Sequence, residues 1–325
     1  MQEDVLKVAR PVANSYLPYF ALVVGTVGLS LSAMFVRWSG APGPVAGFYR
    51  VSIAAAVMAL PVLIRTRREA GQTAPGKKQS RGFWQQVSGR HVLIAALAGL
   101  FFSGDLATWN TSVMMTSAAN ATLLGNTAPI WVSLVALVLF KEKLGRVFWA
   151  GLALTMAGAV VILGGDSLNS VLHPTLGLGD LLAMTAGVFY GGFLLATQRA
   201  REGLNSLLTW WVAACFSGLS LLVITRLLHE PLTGYSSAGY LSMIAAALVS
   251  QVAGYLAISY ALGYLPASIV SPTLLGQPVL TALLAVPLLG EPITWTQVAG
   301  GALVLAGIWV VNRPRKAQPM LADSA

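Results

Sequence analysis

Apolar residues run along this chain in stretches of about twenty, the length that carries a helix across the hydrocarbon core of a bilayer. Ten such runs stand out, at about 17–36, 45–64, 91–113, 118–140, 147–165, 177–197, 204–228, 238–262, 267–289 and 296–312. The pattern predicts an all-α integral membrane protein with ten transmembrane helices. The first 16 residues, MQEDVLKVARPVANSY, are mixed polar. The run after them is long enough to stay as a span instead of being removed as a leader.

Composition sharpens this picture. Of 325 residues 56% are hydrophobic and only 10% are charged, where a soluble domain carries about a quarter charged. The formal net charge of +9 raises the question of nucleic acid, and the placement of the basic residues answers it. The longest loop, 65–90, holds Arg65, Arg67, Arg68, Lys77, Lys78, Arg81 and Arg90, and a bias of this kind marks the cytoplasmic side. With ten spans both termini then lie in the cytoplasm. Of the 20 Lys and Arg, all but Arg37, Arg50 and Arg226 fall on that side. The charge is a topology signal, and no nucleic-acid partner is expected. The single cysteine, Cys215, excludes an intrachain disulfide, and His91, His173 and His229 are far apart. No metal or cofactor is therefore predicted.

The chain also repeats itself. A shift of 149 residues lays "APIWVSLVALVLFKEKL…AGLALTMAGAVV" onto "QPVLTALLAVPLLGEPI…AGGALVLAGIWV", pairing Pro129 with Pro278, Glu142 with Glu291, Gly151 with Gly300 and Gly158 with Gly307. Five spans separate the copies, an odd number, so the halves face opposite ways. The charges agree, because "KEKLGR" is basic and "GEPITW" has no Lys or Arg. The predicted organisation is two inverted five-helix repeats, 1–165 and 177–312, with a cytoplasmic basic tail at 313–325. Inverted repeats are the architecture of secondary transporters. The glycines seven apart predict a smooth helix face for close packing. Glu142 and Glu291 precede spans five and ten, where a carboxylate suits a helix N-terminus, and both are read as structural.

Several polar residues lie inside these spans. Asp105, in "GLFFSGDLATWN", costs on the order of 3 kcal/mol on insertion scales, and such residues face a cavity or a partner. Arg50 sits roughly 8 Å below the outer end of its span and Asp105 roughly 12 Å, at 1.5 Å per residue. An ion pair between them and a cavity-facing Asp105 are both consistent with these depths. Trp109 comes one turn after Asp105 on the same face, and a carboxylate beside an indole suits an amine; plain helix packing is the alternative for a tryptophan. In span eight Gln251, Tyr255 and Ser259 recur every four residues, a polar stripe that either lines a cavity or bonds to a neighbouring helix. Tyr190 lies beside Gly187 and Gly191 in span six. Pro129, Pro272 and Pro278 remove backbone donors and bend their helices, and Asn126 and Gln277 stand near the breaks. The substrate-binding set expected from the sequence is Asp105, Trp109, Tyr190, Gln251, Tyr255, Arg50, Asn126 and Gln277.

The chain has no G-x-x-x-x-G-K-[ST] phosphate loop and no segment outside the spans large enough for an ATPase domain. Nor does a Ser/His/Asp set suggest catalysis, so an enzyme is not expected. "TSAANATLLGNTAPIWVSLVALVLFKEKL…GLALTMAGAVVIL", its echo near the C-terminus and the two matched glutamates resemble the drug/metabolite transporter superfamily, in particular its ten-helix EamA-type exporters. "GDLATWNTSVMMTSAANATLL" looks like a bacterial subgroup with D-L-A-x-W in span three. The resemblance implies an inner-membrane carrier with a central cavity lined mainly by spans 1, 3, 4, 6, 8 and 9. It also implies export of small metabolites, as in the YddG-type exporters of amino acids and methyl viologen.

Four functions compete on these grounds. The leading one is gradient-driven export of neutral or aromatic amino acids, with Asp105 binding the ammonium or carrying a proton and Arg50 holding the carboxylate. Export of organic cations or drugs is the alternative carrier function. An integral-membrane enzyme acting on lipid lacks a catalytic constellation, and a non-transporting assembly protein leaves the inverted repeat unexplained. The partners expected are a small-molecule substrate and the lipid bilayer.

Overall fold

A computed structural model describes residues 16–71, 88–115, 124–163, 177–289 and 293–313. Glu291, most of the 65–90 loop, the start of the predicted fourth span and the tail beyond Arg313 lie outside the described residues. Each of the ten predicted runs corresponds to a helix: α1 Leu17–Ser39, α2 Gly43–Gly71, α3 Gly89–Met115, α4 Ala128–Val138, α5 Arg146–Leu163, α6 Leu178–Ala200, α7 Ser206–Leu227, α8 Ser237–Ala261, α9 Ala267–Leu289 and α10 Trp295–Val311. Seven of these helices are long and apolar enough to cross a membrane, and α4, α5 and α10 are shorter apolar helices. The protein is an all-α integral membrane protein.

Local chemistry sets the helix ends. α1 stops where Gly40 adopts a left-handed conformation, φ 62°, which glycine enters without steric cost. The Asn205 side chain caps α7 by accepting from the Leu208 N–H at 2.9 Å. Thr294 and Gln297 close a reciprocal capping box at the start of α10, satisfying amides that lipid could not.

Pro129 and Pro278 stand at matching helix breaks, while Pro272 lies inside the helical stretch Ala267–Leu274. α9 is broken between Leu274 and Gln277 by a turn at Leu275–Gly276, with Pro278 opening the second half. The fourth span is broken by a turn at Asn126–Thr127, with Pro129 at the start of α4. The two turns are 149 residues apart, the same offset as the sequence repeat. Proline lacks an N–H and its ring clashes with the preceding turn, so each helix restarts there.

The main helix pairings are preserved when each helix is exchanged for the one five places along, although α9 also packs on α5, α6 and α10 without an equal counterpart at α4 among the described residues. α3 packs on α6 as α8 packs on α1, α3 on α7 as α8 on α2, and α4 on α6 as α9 on α1. The pairs α5–α10, α2–α7 and α4–α9 map onto themselves. α5 and α10 cross backbone to backbone: Gly158 faces Gly300, and Gly151 faces Gly307. The glycines matched in the sequence are thus the crossing points of one interface.

One element departs from the expected winding. α8 is π-helical over Ala247–Tyr255, between α-helical ends.

Candidate functional site

A cavity of about 600 Å³ opens between the helices. It runs from mid-bundle toward the end where α1 meets α2, and is walled by residues as far out as Val36, Gly43 and Gln297. Seven of the eight residues expected from the sequence line it: Arg50, Asp105, Trp109, Asn126, Tyr190, Tyr255 and Gln277. They come from several helices and helix breaks, so only the folded bundle brings them together.

Arg50 and Asp105 face this cavity from α2 and α3. Each lies within electrostatic reach of the other, yet no direct ion pair joins them among the described residues. Arg50 is 8% exposed. Its Nη1 donates to Ser32 Oγ of α1 at 2.8 Å, and its Nε has no partner among the described residues. The Asp105 carboxylate accepts no hydrogen bond from a described residue. Of the two arrangements the depths allowed, the structure shows the second: both charges meet the cavity, and neither neutralises the other by contact. Such a pair leaves room for a ligand with charges of its own.

Aromatic rings frame the charges. Tyr190 stacks on Phe193 with centroids 5.8 Å apart and planes 26° apart. Tyr255 stacks on Trp210 at 4.9 Å and 22°, with Phe102 edge-on at 4.8 Å. Both tyrosines line the cavity and rest on this aromatic cluster. Trp109 rests on the break before α4, where a Cβ at Gly125 would come 3.0 Å from its ring. That glycine lets the indole lie close against backbone. On the opposite wall Gln277 Nε2 donates to the Leu29 carbonyl at 3.3 Å, at the break in α9.

Gln251 is placed elsewhere. It is 0% exposed, does not line the cavity, and neither amide atom has a hydrogen-bond partner among the described residues. The four-residue stripe assumes α winding throughout, whereas Gln251 lies in the middle of the π segment with its backbone carbonyl held by Trp210. Ser259 also lies in the packed interior, where it meets the Ser206 carbonyl at 3.4 Å, so Tyr255 alone of the stripe reaches the cavity. The sequence reading missed Ser32, the one described partner of the Arg50 guanidinium, because a serine in an apolar helix carries no distinguishing pattern.

The end of the bundle away from the cavity mouth is fastened by polar contacts between helix ends. Glu142 Oε2 accepts from Ser268 Oγ at 2.6 Å, and Gln198 Oε1 accepts from the Ala267 N–H at 2.7 Å. The Arg199 guanidinium lies over the Phe140 ring at 4.4 Å. These contacts join the ends of α4 and α6 to the start of α9. The role expected for Glu142 is corrected here. α5 begins four residues later, at Arg146, and the carboxylate reaches across to α9 instead of capping α5.

Comparison with known proteins agrees with this architecture. A solved structure described as "Crystal structure of protein" superposes with a TM-score of 0.67 at 19% identity, covering 91% of this chain and 96% of that one; at that identity the likeness is one of fold. The uncharacterized transporter YdfC of Bacillus subtilis is 23% identical over 193 residues, 59% of this chain and 61% of its own length. An uncharacterized transporter of Methanothermobacter thermautotrophicus is 24% identical over 200 residues, 60% of this chain and 57% of its own. The matches thus span about three fifths of these relatives. The EamA-like transporter family matches twice, at residues 17–164 and 177–313. With nearly its whole length covered by two copies of that pattern, the chain belongs to the EamA-like transporter family.

Proposed function

We propose that this protein is a secondary transporter of small zwitterionic metabolites, with neutral and aromatic amino acids as its substrate class. The observation that carries the proposal is the pair of opposite charges, Arg50 and Asp105, facing one cavity without pairing. An α-amino acid supplies the complement to both. Its carboxylate meets the Arg50 guanidinium, a planar fork suited to carboxylates, and its ammonium meets Asp105. Trp109, Tyr190 and Tyr255 offer ring faces to the side chain and to the cation.

The exchange symmetry of the helix packing, the double family match and the paired breaks in the fourth and ninth spans support an inverted two-fold repeat. In such a protein each half takes the other's role as the cavity opens to the opposite side. The contacts around Glu142, Ser268 and Gln198 are then the closed gate, on the cytoplasmic side by the charge bias. Asp105, without a fixed partner among the described residues, also serves as a proton site when no substrate is present, and this couples export to the proton gradient. An organic cation satisfies Asp105 but leaves Arg50 buried and uncompensated, which disfavours that alternative.

Ligand-induced stabilisation tests the substrate class. Tryptophan or leucine raises the unfolding temperature of the detergent-solubilised protein, while the methyl ester and the N-acetyl derivative, each missing one charge, do not. Equal stabilisation by the esters removes Arg50 from the site, and no shift with any amino acid removes the substrate class.

A further inference from the structure

Among the described residues, α8 alone carries a π-helical segment. Such a segment inserts one residue into the winding, which rotates the two flanking α-helical ends by roughly 100° relative to each other. Gln251 and Tyr255 both lie inside that segment, and their surroundings differ. Tyr255, the last π residue, lines the cavity, whereas Gln251 is wholly buried with both amide atoms unpartnered among the described residues. An amide stranded in this way is costly, so the register must be held by something else.

Trp210 of α7 is placed to hold it. It is wholly buried and does not line the cavity. Its Nε1 donates to the Gln251 carbonyl at 2.7 Å, within the π segment itself. The Leu256 N–H, five residues on from Gln251, bonds to the Ala253 carbonyl instead. The same indole stacks under Tyr255 and is wedged by Phe102 at 5.5 Å and Phe193 at 5.9 Å. α1 adds a second grip, since Ser250 Oγ donates to the Gly28 carbonyl at 2.7 Å and Gly25, Gly28 and Gly254 bring the two backbones close.

We propose that Trp210 is a positioning residue. Its N–H on the Gln251 carbonyl and its ring beneath Tyr255 hold α8 in the π register, which presents Tyr255 to the cavity and keeps Gln251 out of it. Without that N–H, α8 relaxes toward α winding. The change of phase swings Gln251 toward the cavity, where its amide finds polar company, and shifts Tyr255 off its seat on the Trp210 ring. The substrate effect of this register rests on the proposed function, but the register itself does not.

The test uses full-length protein in liposomes with the sole cysteine removed, Cys215→Ala. Reporter variants Tyr255→Cys and Gln251→Cys are labelled with N-ethylmaleimide, with and without Trp210→Phe, which keeps a ring but deletes the donor. With Trp210 present, the position-255 reporter labels and the position-251 reporter resists. Trp210→Phe lowers the ratio of the two rates by about tenfold, the equivalent of ~1.4 kcal/mol from one lost hydrogen bond. An unchanged ratio in folded Trp210→Phe protein overturns the proposal. Should Trp210→Phe fail to fold, Gln251→Leu is added to remove the stranded amide. The proposal expects that pair to fold and the position-255 reporter to label at its original rate, and failure of this rescue overturns it too. Amino-acid counterflow is measured in parallel on protein with Tyr255 and Gln251 intact. There Trp210→Phe raises the half-saturating concentration several-fold and keeps the maximal rate. If the wild type carries no amino acid while the labelling ratio shifts, the positioning role stands and the substrate class falls.

Discussion

Replacing Gly300 by alanine tests the crossing of α5 and α10 against the ordinary preference of helices. In a helix interior glycine is worse than alanine by about 0.5–1 kcal/mol, so the change would stabilise an open face. Here the added Cβ would lie 2.6 Å from the Ile162 backbone nitrogen and 2.7 Å from the Gly158 carbonyl oxygen. Both are backbone atoms of the facing helix, so no side chain can swing aside. Overpacking of this kind costs about 1–3 kcal/mol. The neighbouring Gly301 is the internal control, since its Cβ would meet only Val279 Cγ1 at 3.4 Å and Cγ2 at 3.9 Å, ordinary contacts. Gly301→Ala should therefore be neutral or stabilising and Gly300→Ala destabilising. The gap between them is about 2 kcal/mol, the overpacking cost, because the propensity gain is common to both. Thermal unfolding of the two variants in the same detergent reads the sign directly. Equal midpoints, or a more stable Gly300→Ala, would show that the helices do not cross through these glycines.

Further outcomes concern the cavity and the closed end. Arg50→Gln should weaken amino-acid binding by about 1.5–3 kcal/mol, the worth of a charge-assisted hydrogen bond, read as a rise in the half-saturating concentration for counterflow; the amide analogue of the substrate should lose nothing. Trp109→Ala should weaken binding of an aromatic amino acid about tenfold and Trp109→Phe by less, in line with the ring face available to the cation; isothermal titration checks both. Glu142→Ala breaks the contact with Ser268 and leaves that hydroxyl without its partner, at about 1–3 kcal/mol. It should raise labelling of a reporter cysteine at Ala267 from the closed side, and unchanged labelling would remove Glu142 from the gate.

The helices were legible in the sequence because lipid imposes a severe rule. Backbone polar groups must be satisfied within the span, so each helix is written as an unbroken apolar run, and Pro129 and Pro278 mark where helices restart. The matched glycines were legible for a similar reason, since only a residue without a Cβ permits contacts as close as that of Gly158 with Gly300. Asp105 and Arg50 stood out because a charge in an apolar run is expensive. What the sequence did not carry is geometry across helices. The distance that keeps Arg50 and Asp105 apart is set by the crossing of α2 and α3, and Ser32 becomes a partner only because α1 packs nearby. The π winding of α8 was hidden as well. Nothing in "ALVSQVAGY" departs from an ordinary helical run, and the register is fixed from outside by the Trp210 N–H and by α1. Of that stripe Tyr255 lines the cavity and Gln251, one nominal turn earlier, does not.

Counterflow of radiolabelled neutral amino acids in proteoliposomes, comparing wild type with Asp105→Asn, is the most direct test of a carrier whose cavity reads a zwitterion. The account predicts that wild type exchanges internal for external amino acid above the level of protein-free liposomes. The folded Asp105→Asn protein should lose that exchange, having no counter-charge for the ammonium. Exchange by the variant at the wild-type rate, or none by wild type across the panel, would contradict it.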